Sequence, residues 1–334
     1  MSSWEYQNPV RKNVLVVRPP SIVRIKGYLL IVKDPKSGEE EKVPLVTLNA
    51  VILHGKSIAL TVGVIDKLIE QRIPVLVVTR DNIGFIDSPM TSATPNVRWA
   101  QYYYLNDPAR RLILARGFVW SKLKGYASVL RYLARHSAVV EHQQVLRGSA
   151  DEIEDLLGSL DRLSSVGEVL RLEAQGSKAA WSALRQTLLR EYEALGFTGR
   201  NPRGQDPVNQ SVNYLHAILY NLAFRALVSA GLDPHLGALH SEGPGRKPLV
   251  YDFSEQFKPI ALRALAHAAK TARLRVHRNG LLTRRTINTI TSRLQKLLHT
   301  GNPTPASENY RAAWRLRRSM LENTIFKPYT YTAR

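Results

Sequence analysis

Residues 88 to 96 read SPMTSATPN, a run rich in Ser, Thr and Pro that carries no periodic apolar pattern. Such a composition is typical of a linker between domains. The chain has 334 residues, which exceeds what one hydrophobic core usually organises. We therefore predict two domains, residues 1 to 87 and residues 98 to 334, joined by a linker over residues 88 to 97.

The segment before this linker has the pattern of short β-strands. Apolar residues recur at helical spacing from Leu60 to Ile69 until Pro74, which predicts a single helix among the strands. β-branched runs bounded by turn residues predict strands at residues 14 to 18, 28 to 33, 42 to 47, 50 to 54 and 75 to 79.

The segment after the linker has a helical apolar pattern almost throughout. The sequence therefore predicts an α+β fold class, in which a small N-terminal β-rich domain precedes a larger all-α domain. Amphipathic stripes predict helices at residues 109 to 135, 165 to 193, 208 to 230, 253 to 272 and 283 to 299.

The formal net charge of +20 at pH 7 requires a polyanionic partner, either nucleic acid or an anionic membrane. No apolar run approaches the roughly 20 residues of a membrane span, and the amino terminus lacks the apolar stretch of a signal peptide. Nucleic acid is therefore favoured and no membrane association is expected. Residues 1 to 95 contain 12 Lys and Arg against 9 Asp and Glu, and residues 96 to 334 contain 35 against 18, so the helical domain carries the binding surface.

The chain contains no cysteine, which excludes disulfides, thiolate catalysis and Cys-based zinc sites. This composition is ordinary for a protein of the reducing cytoplasm, where we expect the chain to be located. Any bound metal must therefore be held by oxygen and imidazole ligands.

Four residues of the helical domain are candidates for such a site. Glu173 follows a capping box at Ser165 and Glu168, which places it on a rigid helix, although a lone helical Glu is usually solvated. His240 precedes the turn sequence SEGPG, where a lone His is more often structural. The remaining candidates are Asp252 and Glu255.

Asp252 and Glu255 have two compatible interpretations. Asp-x-x-Glu before an apolar run is typical of a helix N-cap, and the same spacing places both carboxylates on one side of a helical turn. Two carboxylates and an imidazole suit Mg²⁺ or Mn²⁺. Spacing alone does not bring Glu173 to the other three residues.

Three segments, RLEAQGSKAAW, GRNPRGQDPVNQSVNYLHAILYN and AGLDPHLGALHSEGPGRKPLVYDFSEQFKP, resemble the CRISPR-associated protein one family. The similarity covers most of the chain. It implies an endonuclease and integrase that inserts captured DNA segments into a CRISPR array through attack of a DNA 3′-hydroxyl on a phosphodiester. Water as the nucleophile would give cleavage instead.

The resemblance also implies which residues act. Glu173, His240, Asp252 and Glu255 correspond to the family's Mg²⁺ or Mn²⁺ ligands, and Glu173, His240 and Glu255 to its catalytic residues. Whether Asp252 or Glu255 contacts the metal more directly stays open. The basic residues nearest in sequence to the acidic pair, and so our candidates for nucleic-acid binding, are Arg246, Lys247 and Lys258.

The implied partners are DNA (the protospacer and the CRISPR array), a second copy of the chain bound through the β-rich domain, and CRISPR-associated protein two. Two alternatives are a transposon-borne integrase of the same fold and a non-catalytic nucleic-acid-binding module. The tail from about Gly301, with Pro303 and Pro305, is expected to become ordered only on DNA or a partner.

Overall fold

The computed structural model describes residues 13–71, 73–79, 83–86, 95–277 and 279–334. The chain divides into two compact units, Met1–Thr91 and Ser92–Arg334. Within the predicted linker, residues 95 to 97 begin a helix, and residues 88 to 94 lie outside the described residues.

The described residues of the first unit form eight strands and one helix. The elements are β1 Asn13–Val17, β2 Ser21–Lys26, β3 Leu29–Lys33, β4 Glu40–Pro44, β5 Leu48–His54, β6 Ile58–Leu60, α1 Val62–Glu70, β7 Val75–Val78 and β8 Ile83–Ile86. The strands form two four-stranded sheets, with strand orders β1-β5-β7-β8 and β4-β3-β2-β6. In the first sheet β1, β5 and β7 are parallel and β8 is antiparallel to β7. In the second, β3 pairs antiparallel with both β2 and β4, whereas β2 and β6 are parallel.

Alternating apolar side chains of these strands form one core, which includes Val17, Val23 and Leu30, together with Val64 and Leu68 from α1. Three strands were not predicted. In β2 the apolar residues alternate with Arg and Lys, and β6 and β8 are short. Pairing with neighbouring strands, rather than composition, stabilises them.

The second unit is helical. The helices are α2 Pro95–Asn106, α3 Pro108–Arg135, α4 Val140–Leu157, α5 Val166–Gln186, α6 Pro207–Ser229, α7 Pro248–Ser254, α8 Lys258–Thr271, α9 Arg284–Leu298 and α10 Pro305–Leu321. The predicted α+β fold class is confirmed. Among the described residues, no helix combines the length and the apolar character needed to cross a membrane.

The predicted helices leave out α2, α4, α10 and most of α7. The apolar stripe of α4 is thin, since this helix buries only Leu146, Ala150 and Ile153. The helix expected over residues 253 to 272 is interrupted by a 3-10 turn at Glu255–Phe257, so that α7 and α8 are separate helices. The interruption brings Glu255 to the junction between them.

The prediction for the tail is wrong, because it is ordered within the unit itself. α10 buries Ala312, Ala313 and Leu316. Beyond α10, the backbone N–H of Tyr329 donates to Gln256 Oε1 at 2.8 Å. Ser121 Oγ donates to the Tyr329 carbonyl. The tail thus holds Ser121 and Gln256, the immediate sequence neighbours of Lys122 and Glu255.

Candidate functional site

Glu255 lies at the centre of the candidate site, and its side chain is only 2% exposed. Lys258 Nζ donates to Glu255 Oε1 at 2.7 Å. Lys122 Nζ forms an ion pair with Glu255 Oε2 at 2.8 Å. Both oxygens of this buried carboxylate are therefore paired with an ammonium group.

Asp252 is fully buried and its carboxylate is saturated by donors from the loop that precedes α7. Asp252 Oδ2 accepts from the N–H groups of Ala238 and Leu239 at 2.6 and 2.9 Å. Oδ1 accepts from the backbone N–H of His240 at 3.0 Å and from His240 Nδ1 at 2.5 Å. Asp252 therefore orients the histidine in this structure, and its role as a metal ligand stays a prediction.

The N-cap interpretation of Asp252 is wrong. α7 begins at Pro248, with Lys247 at the N-cap, so Asp252 lies inside the helix. Its carboxylate reaches across to residues 238 to 240 because Gly237 leaves the space. A Cβ atom on Gly237 would lie 2.5 Å from Asp252 Oδ2 and 2.9 Å from the backbone carbon of Pro248.

His240 presents its other ring nitrogen to Glu255. Nδ1 contacts the Asp252 carboxylate at 2.5 Å, and the other ring nitrogen, Nε2, lies 4.0 Å from Glu255 Oε1. The ring also packs edge-on against Tyr251, with centroids 6.0 Å apart. A carboxylate behind a histidine is the usual arrangement that fixes a metal-binding imidazole.

Glu173 reaches the same place from α5. The predicted capping box at Ser165 and Glu168 is confirmed and starts this helix. Gly176 allows α5 to approach α3, since a Cβ there would lie 2.7 Å from a Leu123 methyl group. Glu173 Oε1 consequently accepts hydrogen bonds from Lys122 and from Ser177. Lys122 connects Glu173 and Glu255, residues 82 positions apart in the sequence.

The charges of the cluster reinforce one another. Burial opposes ionisation of Glu255, but Lys122 and Lys258 outweigh it and hold the pKa of the carboxyl well below its usual range. Burial likewise opposes the charged form of Lys122, but Glu255 and Glu173 raise the pKa of its ammonium well above the usual value. Burial and the nearby Lys258 lower the pKa of His216 well below 6.5. At neutral pH the lysines and Glu255 are charged and His216 is neutral.

The residues present fit a divalent metal. Glu173, Glu255 and His240 Nε2 offer two carboxylates and an imidazole, a donor set that suits Mg²⁺ or Mn²⁺. Across the described ranges, no three His, Asp or Glu side chains stand close enough together to hold an ion as they are placed. The Lys122 ammonium lies between the two glutamates.

The three basic candidates lie around this site in different settings. Arg246 is exposed and donates to Ser241 Oγ at 3.2 Å. Lys247 is partly buried, with its ammonium 5.2 Å from the centre of the Phe224 ring. Lys258 is 8% exposed and is engaged by Glu255. Their predicted role in nucleic-acid binding stays a prediction.

Sequence reasoning missed Lys122, which lies in α3 and is 5% exposed. The sequence does contain a signal for it. Lys122 falls on the apolar stripe of the helix, three residues from Val119 and four from Tyr126, both buried. A lysine in that position must be paired, because a buried unpaired ammonium is strongly unfavourable.

The chain is similar to known proteins over nearly its whole length. The profile of the family described as "CRISPR associated protein Cas1" matches residues 14–296. A "CRISPR-associated endonuclease Cas1 2" of Pyrobaculum aerophilum is 32% identical over 287 residues, covering 85% of this chain and 91% of the relative. The solved structure of a "Casposase bound to integration product" has a TM-score of 0.79 at 21% identity and covers 96% of this chain and 95% of its own.

A second solved structure, a Cas6-RT-Cas1–Cas2 complex, has a TM-score of 0.77 at 18% identity and covers 97% of this chain and 36% of the matched chain. At these identities the two structures show a shared fold. The family profile and the Pyrobaculum relative go further, because they extend over most of the sequence. The chain belongs to the Cas1 family of CRISPR-associated proteins.

Proposed function

We propose that this protein is a metal-dependent DNA endonuclease and integrase that inserts captured DNA segments into a CRISPR array. The observation that carries the proposal is the convergence of Glu173, His240 and Glu255 from three separate parts of the helical unit. Membership of the Cas1 family and the name endonuclease given to its relatives support it.

Glu173, Glu255 and His240 Nε2 would hold Mg²⁺ or Mn²⁺. When bound, such an ion lowers the pKa of an attacking hydroxyl and offsets charge on the phosphate. Asp252 keeps the proton of His240 on Nδ1, which leaves Nε2 as the ligand atom. Lys258 keeps Glu255 ionised and fixes the orientation of its carboxylate.

The reaction exchanges one phosphodiester for another. The oxygen of a DNA 3′-hydroxyl forms a bond to phosphorus, the bond from phosphorus to the displaced oxygen breaks, and that oxygen takes up a proton. The number of phosphodiesters is unchanged, so no external energy source is required. With water as the nucleophile the same steps hydrolyse the DNA, which accounts for an endonuclease activity.

We propose that the helical unit binds the phosphate backbone of DNA. Its sequence has 35 Lys and Arg against 18 Asp and Glu from residue 96 onward, a balance that favours salt-dependent binding without sequence preference. Arg246 and Lys247 lie in the loop and helix start that follow His240, so they are the nearest candidates for phosphates at the site. Lys258 would reach a phosphate only by leaving Glu255.

The protein partners are also proposals. The fold similarity to a Cas1–Cas2 complex supports assembly with the small CRISPR-associated protein Cas2. A homodimer through the β-rich unit is supported by large apolar side chains that it exposes, among them Tyr28, Val46 and Val62, which are 66%, 52% and 80% exposed. Exposed apolar residues of this kind mark association surfaces when they cluster.

The test is a joining and cleavage assay on a labelled duplex with a free 3′-hydroxyl, in Mn²⁺, Mg²⁺ or EDTA. We expect metal-dependent products from the natural protein and none from folded His240→Ala or Glu173→Ala variants. A duplex that ends in a 3′-deoxynucleotide separates joining, which it cannot support, from hydrolysis, which continues. Products that persist in EDTA or in both variants would contradict the proposal.

A transposon integrase is the second candidate, favoured by the casposase fold similarity. The same assay distinguishes the two when it includes a CRISPR leader–repeat target and a target without one. Preference for the leader–repeat junction, measured with Cas2 present, supports the CRISPR function. Equal use of both targets, with a preference for transposon ends as donor, supports the alternative.

A further inference from the structure

Lys122 occupies the position between the two glutamates of the candidate metal site. It comes from the middle of α3, and its side chain is 7% exposed. Its ammonium contacts Glu173 Oε1 and lies 2.8 Å from Glu255 Oε2. A metal ion bound by Glu255 would have to share an oxygen with an ammonium group, because Lys258 is on Oε1 and Lys122 is on Oε2.

The ammonium and a divalent ion therefore compete for one place. Two cations a few ångströms apart in a buried site repel each other strongly, because solvent screening is weak there. Lys258 cannot relieve the conflict, since it is held on the other oxygen of Glu255 at 2.7 Å. Metal binding requires either that Lys122 moves away or that a further anion enters.

The formal charges identify that anion. The site contains three carboxylates, Glu173, Asp252 and Glu255, and two buried ammonium groups, Lys122 and Lys258, which together give one negative charge. A divalent ion alone would reverse the sign of the site. A DNA phosphate brings one negative charge and offers oxygens to both the ion and a displaced ammonium.

We propose that Lys122 is the resident counter-cation of the metal-free site, and that a divalent ion enters only together with a DNA phosphate that takes over the lysine. The inference rests on the proposed function. It assigns to Lys122 a positioning role, in which the metal centre assembles only on DNA.

Lys124, two residues further along α3, provides a matched control. Its ammonium also binds a glutamate, Glu154, at 2.7 Å, but its side chain is 42% exposed and touches neither Glu173 nor Glu255. Lys122→Met and Lys124→Met therefore remove the same charge from the same helix. Only the first removes it from between the metal ligands.

The experiment measures Mn²⁺ affinity by titration calorimetry on the full chain, with and without a duplex that has 3′-deoxy ends and cannot be joined. For the natural protein and for Lys124→Met we expect DNA to tighten Mn²⁺ binding by about tenfold or more. For Lys122→Met we expect binding without DNA to tighten by a similar factor and the effect of DNA to shrink. Equal or weaker binding by Lys122→Met without DNA would overturn the inference.

The natural protein alone also tests the idea, in case Lys122→Met does not fold. Mn²⁺ affinity that is the same with and without DNA would overturn the inference without any variant. Failure of the proposed function looks different, since in that case Mn²⁺ supports no product. Products that require Mn²⁺, together with DNA-independent Mn²⁺ binding, would refute the role of Lys122 and leave the proposed function standing.

Discussion

The helix α3 carries two ion-pair clusters that have the same chemistry but differ in their access to solvent. Lys122 faces Glu173 and Glu255 in the interior, whereas Lys124 pairs with Glu154, which also binds Arg131 at 2.8 Å. Two residues of a helix differ by about 200° in direction, so one lysine points inward and the other outward. The difference lies in solvent access, because the side chains of Lys124 and Arg131 are 42% and 39% exposed.

Solvent access decides how much each cluster contributes to the free energy of unfolding. Exposed ion pairs contribute about 0–1 kcal/mol, since water solvates the separated charges almost as well. Buried ion pairs often contribute no more than apolar residues of similar volume, yet removing one partner is strongly destabilising. The cluster at Lys122 is therefore weak evidence for a role in stability. The cluster at Lys124 can be explained by surface packing of α3 on α4.

The largest effect should follow from neutralising the central carboxylate. We expect Glu255→Gln to lower the free energy of unfolding by about 3–5 kcal/mol, because Lys122 and Lys258 lose their shared anion in a buried site. Glu154→Gln, the same change in the exposed cluster, should cost less than about 1 kcal/mol. Urea unfolding followed by circular dichroism measures both. Equal losses would remove the contrast between the two clusters.

A smaller effect should follow from a substitution in the loop that supports the buried site. Gly237→Ala places a methyl group 2.5 Å from Asp252 Oδ2, and we expect it to cost about 1–3 kcal/mol of stability. It should also reduce DNA joining by about 10–100-fold, because Asp252 no longer orients His240. The control is Gly148→Ala on α4, where a Cβ meets nothing within 4 Å.

For Gly148→Ala we expect a gain of about 0.5–1 kcal/mol and unchanged joining, because alanine favours the helix and the position is exposed. Thermal unfolding and the joining assay are the measurements. If Gly237→Ala joins DNA as well as Gly148→Ala does, the loop from residue 237 to 240 does not position the histidine.

The smallest effect is a pH dependence of the exposed cluster. Burial opposes ionisation of Glu154, but hydrogen bonds from Lys124 and Arg131 outweigh it and lower the pKa of the carboxyl from 4.5. As the pH falls, Glu154 is therefore protonated in the unfolded chain before it is protonated in the folded chain. The contribution of Glu154 to the free energy of unfolding is present above about pH 4.5 and is lost as the pH falls through the lowered pKa.

Urea unfolding of the natural protein and of Glu154→Gln at about pH 7 and about pH 3 measures this contribution. We expect the stability difference between the two proteins to narrow at the lower pH. A difference that stays constant would mean that the ion pairs of Glu154 contribute nothing to stability.

The sequence determined the fold class and four residues of the candidate site. β-branched runs before residue 87 and helical stripes after residue 98 follow from local backbone geometry, which short segments encode. The capping box at Ser165 was also correctly predicted, because its bonds join residues three apart. Resemblance to a family then identified Glu173, His240, Asp252 and Glu255.

Only the tertiary structure decided what these residues do. Asp252 fits an N-cap by local spacing, yet it binds a loop 12 to 14 residues earlier in the sequence. In the sequence Lys122 is one lysine among many, whereas in the fold Glu173 of α5 and Glu255 enclose its ammonium. Local patterns determine local hydrogen bonds. Burial, and with it the strength of the electrostatic interactions of a charged side chain, depends on segments that are far apart in the chain.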